Sequence, residues 1–241
     1  MLSSSVIKNV GQASHYYSQQ DNYYTREEGI EQSEWWGKGA EKLGFYGHVD
    51  TKNFSDLLTG LLPNGEKLGK VVDGQIKHRA GWDLTFSAPK SVSILALVGG
   101  DKRLIEAHRK AVSSALSHIE RGCAQARVQT ADDMTYQNTN KLVVALFHHD
   151  LSRAKDPQLH THGVTMNMTE RQDGKWRSLA SKMGNYQENT TNNINGFIER
   201  VRHYNRYYSK LYETELAYHI KELGYEIRTD TKSGIFEIAG V

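Results

Sequence analysis

The sequence predicts an α+β fold in which a central antiparallel β-sheet packs against flanking helices. Residues 82–87 (WDLTFS) alternate between apolar and polar side chains, as a half-buried strand does. Two apolar runs, 141–149 and 158–168, flank a short charged connection, which is typical of antiparallel neighbours. Residues 101–126 carry apolar side chains at helical spacing and therefore predict a helix that covers the sheet.

The elements of the first half are expected in the following order. Residues 4–10 form a short strand, and a helix begins near residue 12 and runs through the first tyrosine doublet. Residues 50–62 are helical, because their apolar side chains form one stripe. The polar, glycine-punctuated segment 64–81 is a loop or a hairpin, and the pattern of 91–98 leaves helix and strand open.

The second half continues the same alternation of helix and strand. Asp101 is the expected N-cap of the helix over 101–126, because its side chain can accept a hydrogen bond from the first turn. Residues 190–223 are expected to be helical. The chain then forms a terminal hairpin from segments 225–229 and 235–238 around Lys-Ser-Gly.

Composition excludes two classes of protein and leaves most others open. The 241 residues contain no apolar run of about 18, so no transmembrane helix is expected, and the first residues lack the features of a signal peptide. The single cysteine, Cys123, allows no internal disulfide and is expected to be a small buried side chain. A net charge of +2 permits nucleic-acid binding without arguing for it. The expected compartment is the cytoplasm.

Three histidines form the clearest chemical pattern. His160 and His162 are two residues apart, so on a strand both imidazoles point to one face. His149 ends the preceding strand, and if the two strands pair, all three rings can meet around one point. Three imidazoles leave coordination positions open for a substrate, as a catalytic metal requires. Zinc, manganese, nickel and copper all accept such ligands, and phosphoryl chemistry would favour magnesium or manganese.

Asp83 and two tyrosine doublets complete the candidate chemistry. Asp83 lies within a predicted strand, where an aspartate needs a partner; it can orient a metal-bound histidine or accept a proton. The doublets 16–17 and 23–24 are seven residues apart. Aromatic doublets usually belong to a core or an interface, but a tyrosine beside a dication or a carboxylate base can act as a nucleophile.

Six segments occur in order along nearly the whole chain: GQASHYYSQQDNYY, WWGKGAEKLGFYGHVD, GWDLTFSAPKSVS, GGDKRLIEAH, ALFHHDLSRAKDPQLHTHGV and KELGYE. Taken together, they resemble the relaxases of F-type conjugative plasmids, the MobF family of HUH endonucleases. The resemblance implies the palm-like relaxase fold. It also implies site- and strand-specific nicking of single-stranded plasmid transfer-origin DNA, with religation or strand transfer in conjugation.

The resemblance also implies a role for each candidate residue. The first doublet would attack the scissile phosphate, giving a 5′-phosphotyrosine and a free 3′-OH, and the second would serve a second transfer. Asp83 would lie beside a metal-binding triad that holds a divalent ion, magnesium or manganese in function and zinc or nickel in a crystal. The residues are, as nucleophiles, Tyr16, Tyr17, Tyr23 and Tyr24 and, as metal ligands, His149, His160 and His162.

Expected DNA contacts follow from charge and aromatic character. Single-stranded DNA is bound through cations for phosphates and aromatic faces for bases. The basic candidates lie in two stretches of the sequence. The aromatic candidates, two tryptophans and a tyrosine, precede both stretches. The cations are Lys77, Arg79, Arg153 and Lys155, within basic stretches that also include Lys67, Lys70 and His78, and the stacking candidates are Trp35, Trp36 and Tyr46.

The resemblance also sets expectations for organisation and partners. Residues 1–241 would form one relaxase domain without the C-terminal elements that fold over bound DNA and without a helicase, since no GxxxxGK[ST] motif occurs. Segment 183–208 departs from the pattern and is interpreted as an insertion. Accessory relaxosome proteins and a coupling protein are the expected partners of a monomer without membrane contact. The expected location is the bacterial cytoplasm of the donor cell, with carriage into the recipient alongside the DNA.

Three rival functions remain open at the level of sequence. A rolling-circle replication initiator or a single-strand transposase uses the same chemistry, but such proteins place the tyrosines after the histidine-rich strand, whereas here they precede it. A catalytically silent module that binds single-stranded DNA would keep the basic and aromatic residues. A zinc hydrolase would use the three histidines and release a product through water.

Overall fold

A five-stranded antiparallel sheet is the centre of the molecule. The computed structural model describes residues 1–8, 10–11, 32–73, 75–129, 133–181, 194–230 and 234–241. The strands are β1 (Leu2–Val6), β2 (Ser33–Trp36), β3 (Lys70–Val72), β4 (Gln75–Lys77), β5 (Gly81–Ser87), β6 (Gln125–Gln129), β7 (Met134–Asn138), β8 (Val144–Leu151), β9 (Pro157–Met166), β10 (Thr169–Glu170), β11 (Trp176–Arg177), β12 (Ile227–Thr229) and β13 (Phe236–Ile238). The central sheet has the order β1-β5-β9-β8-β2, and every neighbouring pair is antiparallel.

Helices of the described residues cover both faces of this sheet. They are α1 (Lys38–Lys42), α2 (Thr51–Leu58), α3 (Lys90–Leu97), α4 (Arg103–Cys123), α5 (Phe197–His203) and α6 (Asn205–Glu222). The predicted α+β class, with a central antiparallel sheet and flanking helices, is confirmed. None of these helices combines the length and the apolar character that crossing a membrane requires.

Strand alternation gives the sheet two different faces. Trp82, Leu84 and Phe86 of β5 are fully buried on one face, named here the back face, against α3, α4, α5 and α6. Burying an aliphatic or aromatic side chain of this size stabilises a fold by about 1.5–3 kcal/mol. The opposite face, named here the front face, packs α2 against β8 and β9, with the Phe54 ring edge-on to Phe147 at 5.1 Å.

The long helix α4 differs from its predicted bounds at both ends. Asp101 Oδ1 accepts a hydrogen bond from the Arg103 amide at 3.1 Å, but the residue at the N-cap position is Lys102, so the prediction of Asp101 as N-cap is wrong by one residue. At the other end Ala124 is extended and the chain enters β6. The β6–β7 hairpin was not predicted, because its strands are mostly polar. Cys123 is buried as expected.

The helical region before the C-terminal hairpin is divided in two. Helices α5 and α6 meet at Tyr204, where the continuous helix predicted over 190–223 is interrupted. Phe197 and Tyr208 are buried in the back-face core, so the second part of segment 183–208, which was interpreted as an insertion, contributes to that core. Residues 182–193 lie outside the described residues.

Several shorter predictions are confirmed with shifted ends. Strand β1 begins at Leu2, two residues before the predicted start. Helix α2 begins after Asp50, whose side chain accepts a hydrogen bond from the Asn53 amide at 2.8 Å, and ends at Leu58. Segment 91–98 forms a helix, α3, and segment 64–81 contains the β3–β4 hairpin. The terminal hairpin is β12–β13.

Candidate metal centre

The pairing of β8 with β9 brings the three predicted histidines together on the front face. His149 lies opposite His160 in the register, and Phe147 lies opposite His162. The ring centroids are 5.1–5.3 Å apart. One nitrogen from each ring lies within 4.8 Å of the other two. The geometry therefore offers a single point that all three imidazoles can reach.

Hydrogen bonds to Nδ1 fix the orientation of two of these rings. His162 donates from Nδ1 to Asp83 Oδ2 at 2.8 Å, and His160 donates from Nδ1 to the Gln158 carbonyl oxygen at 2.8 Å. A neutral imidazole that donates from Nδ1 presents Nε2 as a lone pair. A carboxylate or carbonyl behind each imidazole is the usual support of a metal-bound histidine. Asp83 is 6% exposed, so its carboxylate is held in place.

Thr85 joins Asp83 behind His162. Its hydroxyl donates to Asp83 Oδ1 at 3.3 Å and lies 3.2 Å from His162 Nδ1. The sequence placed Thr85 on the same face of β5 as Asp83, but we did not predict a part for it at the site. The alternation of β5 was the signal that could have identified it.

The three imidazoles form a donor set that fits a divalent cation. Burial lowers the pKa of His149 to about 3, with the other imidazoles of the site lowering it further, and burial also lowers the pKa of His160. Both rings are therefore neutral near pH 7, and a neutral ring is the form that binds a metal. Metal–nitrogen bonds of about 2.0–2.1 Å place ligand nitrogens within about 4 Å of one another, close to the spacing found here.

A cavity of about 380 Å³ opens beside the three rings. It is lined by Thr85, Leu151, Ser152, Arg153 and Lys155 together with the three histidines. The connection after β8 is ordered by Ser152 Oγ, which accepts hydrogen bonds from the amides of Ala154 and Asp156 at 3.2 Å each. Lys155 has the left-handed φ of 62°, a conformation that a lysine rarely adopts. The strand connection thus places two cations at the cavity.

The other two predicted cations lie in a separate basic cleft. Lys77 and Arg79 line a space of about 540 Å³ between the β3–β4 hairpin and residues 177–181. The remaining cations of this basic cleft are Lys67, Lys70, Arg127 and Arg177. Arg79 donates to Ser181 Oγ at 2.5 Å, so its guanidinium is held in the wall. Asn167, which lines this cleft, directly follows β9 and comes five residues after His162. At the spacing of residues in a strand, five residues correspond to about 17 Å along the chain.

The aromatic candidates for base stacking are placed differently from one another. Trp35 is 7% exposed and stacks on Phe45 at 4.9 Å, so the interpretation of Trp35 as a stacking surface is wrong. Trp36 is half-buried, and its Nε1 donates to Ser113 Oγ at 3.0 Å. Tyr46 is 69% exposed. The Trp35–Trp36 doublet of the edge strand β2 is therefore mostly part of the core, which is the usual place for an aromatic doublet.

The predicted nucleophiles cannot be placed relative to the three imidazoles. Tyr16, Tyr17, Tyr23 and Tyr24 all fall in 12–31, a range outside the described residues. The described chain resumes at Gln32, whose carbonyl oxygen accepts a hydrogen bond from the His148 amide at 2.9 Å. That amide belongs to the residue immediately before His149, so the described chain resumes next to the histidine site.

Curated relatives and a family model match this chain over nearly its whole length. Residues 10–241 match the TrwC relaxase family. The chain is 46% identical over 242 residues to the multifunctional conjugation protein TraI of Escherichia coli and 43% identical to TraI of Escherichia coli strain K12. Each match covers 100% of this chain and 13% of the relative, so the chain spans about an eighth of their length.

Solved structures give the same family. The chain is similar to the conjugative relaxase TrwC in complex with oriT DNA in its metal-bound structure, with a TM-score of 0.83 and 39% identity. It is also similar to the copper-bound structure of that complex, with a TM-score of 0.85 and 39% identity. Both matches cover 100% of this chain and 76% of the solved one. The chain therefore belongs to the TrwC relaxase family.

Proposed function

We propose that this chain nicks one strand of transfer-origin DNA by tyrosine attack on a phosphodiester, as a metal-dependent relaxase. The observation that carries the proposal is the convergence of three imidazoles beside Asp83 at a cavity that two cations border. Family membership supports it, since the relaxase TrwC is described in complex with oriT DNA. The TraI proteins are much longer than this chain, and the proposal covers only the nicking activity of the segment that matches it.

Tyr16, or its neighbour Tyr17, is the proposed nucleophile of the first transfer. The phenol oxygen loses its proton and forms a bond to phosphorus as the bond from phosphorus to the 3′ oxygen breaks, and the leaving oxygen takes up a proton to become the free 3′-OH, so that no net proton is gained or lost. The product is a 5′-phosphotyrosine that retains the phosphodiester linkage for religation. Tyr23 and Tyr24 would supply a nucleophile for a second transfer while the first strand end remains attached.

His149, His160 and His162 are the proposed ligands of a divalent ion, with magnesium or manganese as the working ion. When bound, such an ion supplies Lewis-acid stabilisation of the charge that develops on the phosphate oxygens. The TrwC structures that bind a metal, copper in one of them, support a divalent ion at this donor set. Imidazoles also accept zinc and nickel, so the ion found in a crystal need not be the working one.

Asp83 is the proposed orienting group of the site. Its Oδ2 accepts a hydrogen bond from His162 Nδ1, so the carboxylate holds the ring with Nε2 turned toward the other imidazoles. The engagement of Oδ2 with His162 supports orientation over removal of the phenolic proton as the main role. Arg153 and Lys155 would place their charges on the oxygens of the scissile phosphate, because they line the same cavity.

Lys77 and Arg79 are proposed to bind the strand away from the cut. Five cations besides Arg79 surround the basic cleft, and such a concentration of positive charge attracts a phosphate backbone. The β9 spacing of about 17 Å between His162 and Asn167 would let one extended strand reach both the cavity and the basic cleft. Tyr46 and Trp36 remain candidates for stacking on bases at the opposite sheet edge.

The proposed setting follows the family resemblance. The partners would be single-stranded transfer-origin DNA, accessory relaxosome proteins and a coupling protein, and the domain would act as a monomer in the bacterial cytoplasm. Gel filtration with light scattering measures the oligomeric state directly. A stable dimer in the absence of DNA would contradict the monomer.

A covalent-adduct assay tests the proposed function. A labelled single-stranded oligonucleotide carrying the cognate transfer origin is incubated with the protein and Mg²⁺ or Mn²⁺, and the protein–DNA adduct is separated on a denaturing gel. We expect an adduct that EDTA abolishes and that Tyr16→Phe reduces by at least about 100-fold, since a phenyl ring lacks the nucleophilic oxygen. Tyr218→Phe, which changes an exposed tyrosine on α6, is the matched control and should leave the adduct intact.

Two outcomes of this assay would contradict the proposal. Full cleavage by Tyr16→Phe would reject the assignment of the first nucleophile. A free 5′-phosphate without an adduct would indicate attack by water and therefore a hydrolase. Circular dichroism of each variant shows whether the protein is folded.

A further inference from the structure

Five polar side chains form a continuous hydrogen-bonded chain on the back face, directly behind the candidate metal centre, and all of them except Glu34 are buried. Tyr212 Oη lies 2.7 Å from His108 Nδ1, and His108 Nε2 lies 2.8 Å from Thr161 Oγ1. Thr161 Oγ1 lies 2.9 Å from His148 Nδ1, and His148 Nε2 lies 3.3 Å from Glu34 Oε1. This set is named the back-face chain. It joins α6, α4, β9, β8 and β2 in one series of contacts.

The chemistry of the groups gives every bond of the back-face chain one direction. The hydrogen bond from His148 holds the pKa of Glu34 below its usual value, so the carboxylate is ionised and only accepts. His148 then donates from Nε2, and its Nδ1 accepts the proton of the Thr161 hydroxyl. Thr161 has a single proton, so its oxygen accepts from His108 Nε2, and Tyr212 donates to His108 Nδ1.

Thr161 is the only member of the back-face chain that bonds to two histidines at once. Its hydroxyl is both donor and acceptor, and it is 0% exposed. A buried polar group that loses its hydrogen-bond partner is destabilising, and both imidazoles share this one oxygen as a partner. The hydroxyl therefore sets where His108 and His148 can lie relative to β9.

The position of Thr161 in the register links the back-face chain to the front face. Thr161 pairs with His148, and the next pair along the same two strands is His160 with His149. Neighbouring residues of a strand point to opposite faces, so Thr161 lies between His160 and His162 with its side chain turned away from them. The hydrogen bond between Thr161 and His148 crosses from β9 to β8 on the back face. It therefore constrains the backbone of the two strands that carry the candidate ligands on the front face.

We infer that Thr161 is a positioning residue for the metal centre: its hydroxyl bonds fix the spacing and register of β8 and β9 so that three imidazoles converge. The inference rests on the proposed metal-binding role of those imidazoles. Residues that support metal ligands typically change metal affinity by 10–100-fold when they are replaced. Thr161 acts through the backbone and never touches the ion, so an effect near the lower end of that range is expected.

Thr165 provides a matched control on the same strand. It lies four residues further along β9, on the same face, and is also 0% exposed. Within the part of the chain that the structure describes, its hydroxyl donates only to the nearby Gly163 carbonyl oxygen, at 3.4 Å. Replacing either threonine by valine removes one buried hydroxyl and keeps the shape of the side chain. A purely structural role for Thr161 therefore predicts that both variants lose stability and that neither loses metal affinity.

The test uses Co²⁺ as a spectroscopic probe of the metal-free full chain. Affinity and the visible ligand-field bands are measured for wild type, Thr161→Val, Thr161→Ser and Thr165→Val, together with thermal unfolding of each metal-free protein. We expect Thr161→Val to bind Co²⁺ about 10-fold more weakly with altered bands, and Thr161→Ser to restore both. Thr165→Val should lose less thermal stability, because it removes one weak hydrogen bond, and should keep the affinity and bands of wild type.

The outcomes separate this inference from the proposed function. Wild-type affinity and bands in Thr161→Val, or equal losses in Thr165→Val, would overturn the positioning role while leaving the metal site intact. Failure of the wild type to bind Co²⁺, or undiminished binding by His160→Ala, would overturn the site itself and the inference with it. If Thr161→Val does not fold, Tyr212→Phe removes the first donor of the back-face chain; it should weaken Co²⁺ binding about threefold, and unchanged binding would contradict the inference.

Discussion

The two faces of the β8–β9 pair both carry histidines, and they use them in different ways. On the front face His149, His160 and His162 point at one another beside a cavity of about 380 Å³. On the back face His108 and His148 engage both ring nitrogens in a hydrogen-bonded chain that ends at buried Tyr212 and partly exposed Glu34. The same residue type thus forms a candidate reactive site on one side and a structural support on the other.

Adjacent residues show what separates the two roles. His148 and His149 are chain neighbours and are equally buried, at 7% exposure each. Their side chains differ only in the face to which the strand directs them, and therefore in what they meet. A histidine becomes a candidate ligand where strand pairing makes several rings converge at an accessible cavity. It becomes part of the support where hydroxyl and carboxylate groups meet both of its nitrogens.

The largest expected effect comes from the carboxylate that serves the front face. Asp83→Ala should lower Mn²⁺ affinity by about 10–100-fold, because His162 loses the acceptor that orients its ring. Titration calorimetry on folded protein measures the change. Asp83→Asn keeps an oxygen acceptor in the same place and should fall between alanine and wild type.

Glu34 supplies the matched carboxylate of the back face. It also accepts a hydrogen bond from a histidine, but at the partly exposed end of the back-face chain. Glu34→Ala should therefore change Mn²⁺ affinity by only a few-fold. Equal losses in Asp83→Ala and Glu34→Ala would break the distinction between the two faces.

The pH dependence of stability gives a second expected difference. Burial lowers the pKa of His108 far below its usual value, so the folded protein keeps this ring neutral while the unfolded chain protonates it below pH 6.5. The unfolded state then binds more protons, and the free energy of unfolding falls as pH decreases from 6.5. Each such histidine contributes a slope of about 1.4 kcal/mol per pH unit.

Urea unfolding of the metal-free protein between pH 5 and pH 6.5 measures this slope. His108→Gln should reduce the slope by the contribution of about one histidine, about 1.4 kcal/mol per pH unit, whatever the substitution does to stability at pH 7. His118→Gln, which changes a less buried histidine on the same helix, is the control and should leave most of the slope. An unchanged slope in His108→Gln would show that the back-face ring is not held neutral.

The smallest expected effect concerns the basic cleft. Replacing Lys77 and Arg79 by alanine should weaken single-stranded DNA binding several-fold and reduce the slope of log affinity against log salt by about 1.4, or 0.7 for each phosphate contact. Fluorescence anisotropy over a salt series measures both. Lys110→Ala, on a helix that covers the back face, is the control and should leave the slope unchanged.

Identical salt slopes in all three proteins would remove the basic cleft from the proposed DNA path. A lower affinity with an unchanged slope would indicate that the substitutions disturb the fold of the β3–β4 hairpin and not a phosphate contact. Mn²⁺ affinity should be the same in each variant, since the basic cleft shares no residue with the cavity.

Local alternation predicted the front face well. The pattern of 82–87 placed Asp83 opposite to Trp82, Leu84 and Phe86, and the spacing of His160 and His162 placed both on one face. These are properties of a single strand, and a period of two follows directly from backbone geometry. To predict that His149 lies near His160 and His162, we needed to assume only that the two strands pair antiparallel across a short connection.

The back-face chain could not be predicted from the sequence, because its residues are far apart in the sequence. His108 and Tyr212 lie 104 residues apart, and Glu34 and His148 lie 114 apart. Each was an ordinary residue of its own element until packing brought them together. The same reason explains Trp35, whose burial depends on Phe45, and the break at Tyr204, which no proline or glycine marks.

The composition of the surrounding sequence explains the other differences. The β6–β7 hairpin is rich in polar residues such as Gln125 and Thr135, so neither strand shows an apolar period. Asp101 has the side chain of an N-cap and uses it on the amide of Arg103, but the helix begins at Arg103, one residue later than an N-cap at Asp101 would place it. Such single-residue shifts at helix ends are ordinary.

X-ray absorption spectroscopy of the Mn²⁺-loaded protein tests the central claim most directly, because it reads the ligands of the ion itself. We predict a shell that contains three imidazole nitrogens in wild type, two in His149→Ala with an affinity lower by more than about 100-fold, and three in Thr165→Val. An Mn²⁺ shell of oxygens alone, or the wild-type spectrum in His149→Ala, would contradict the account.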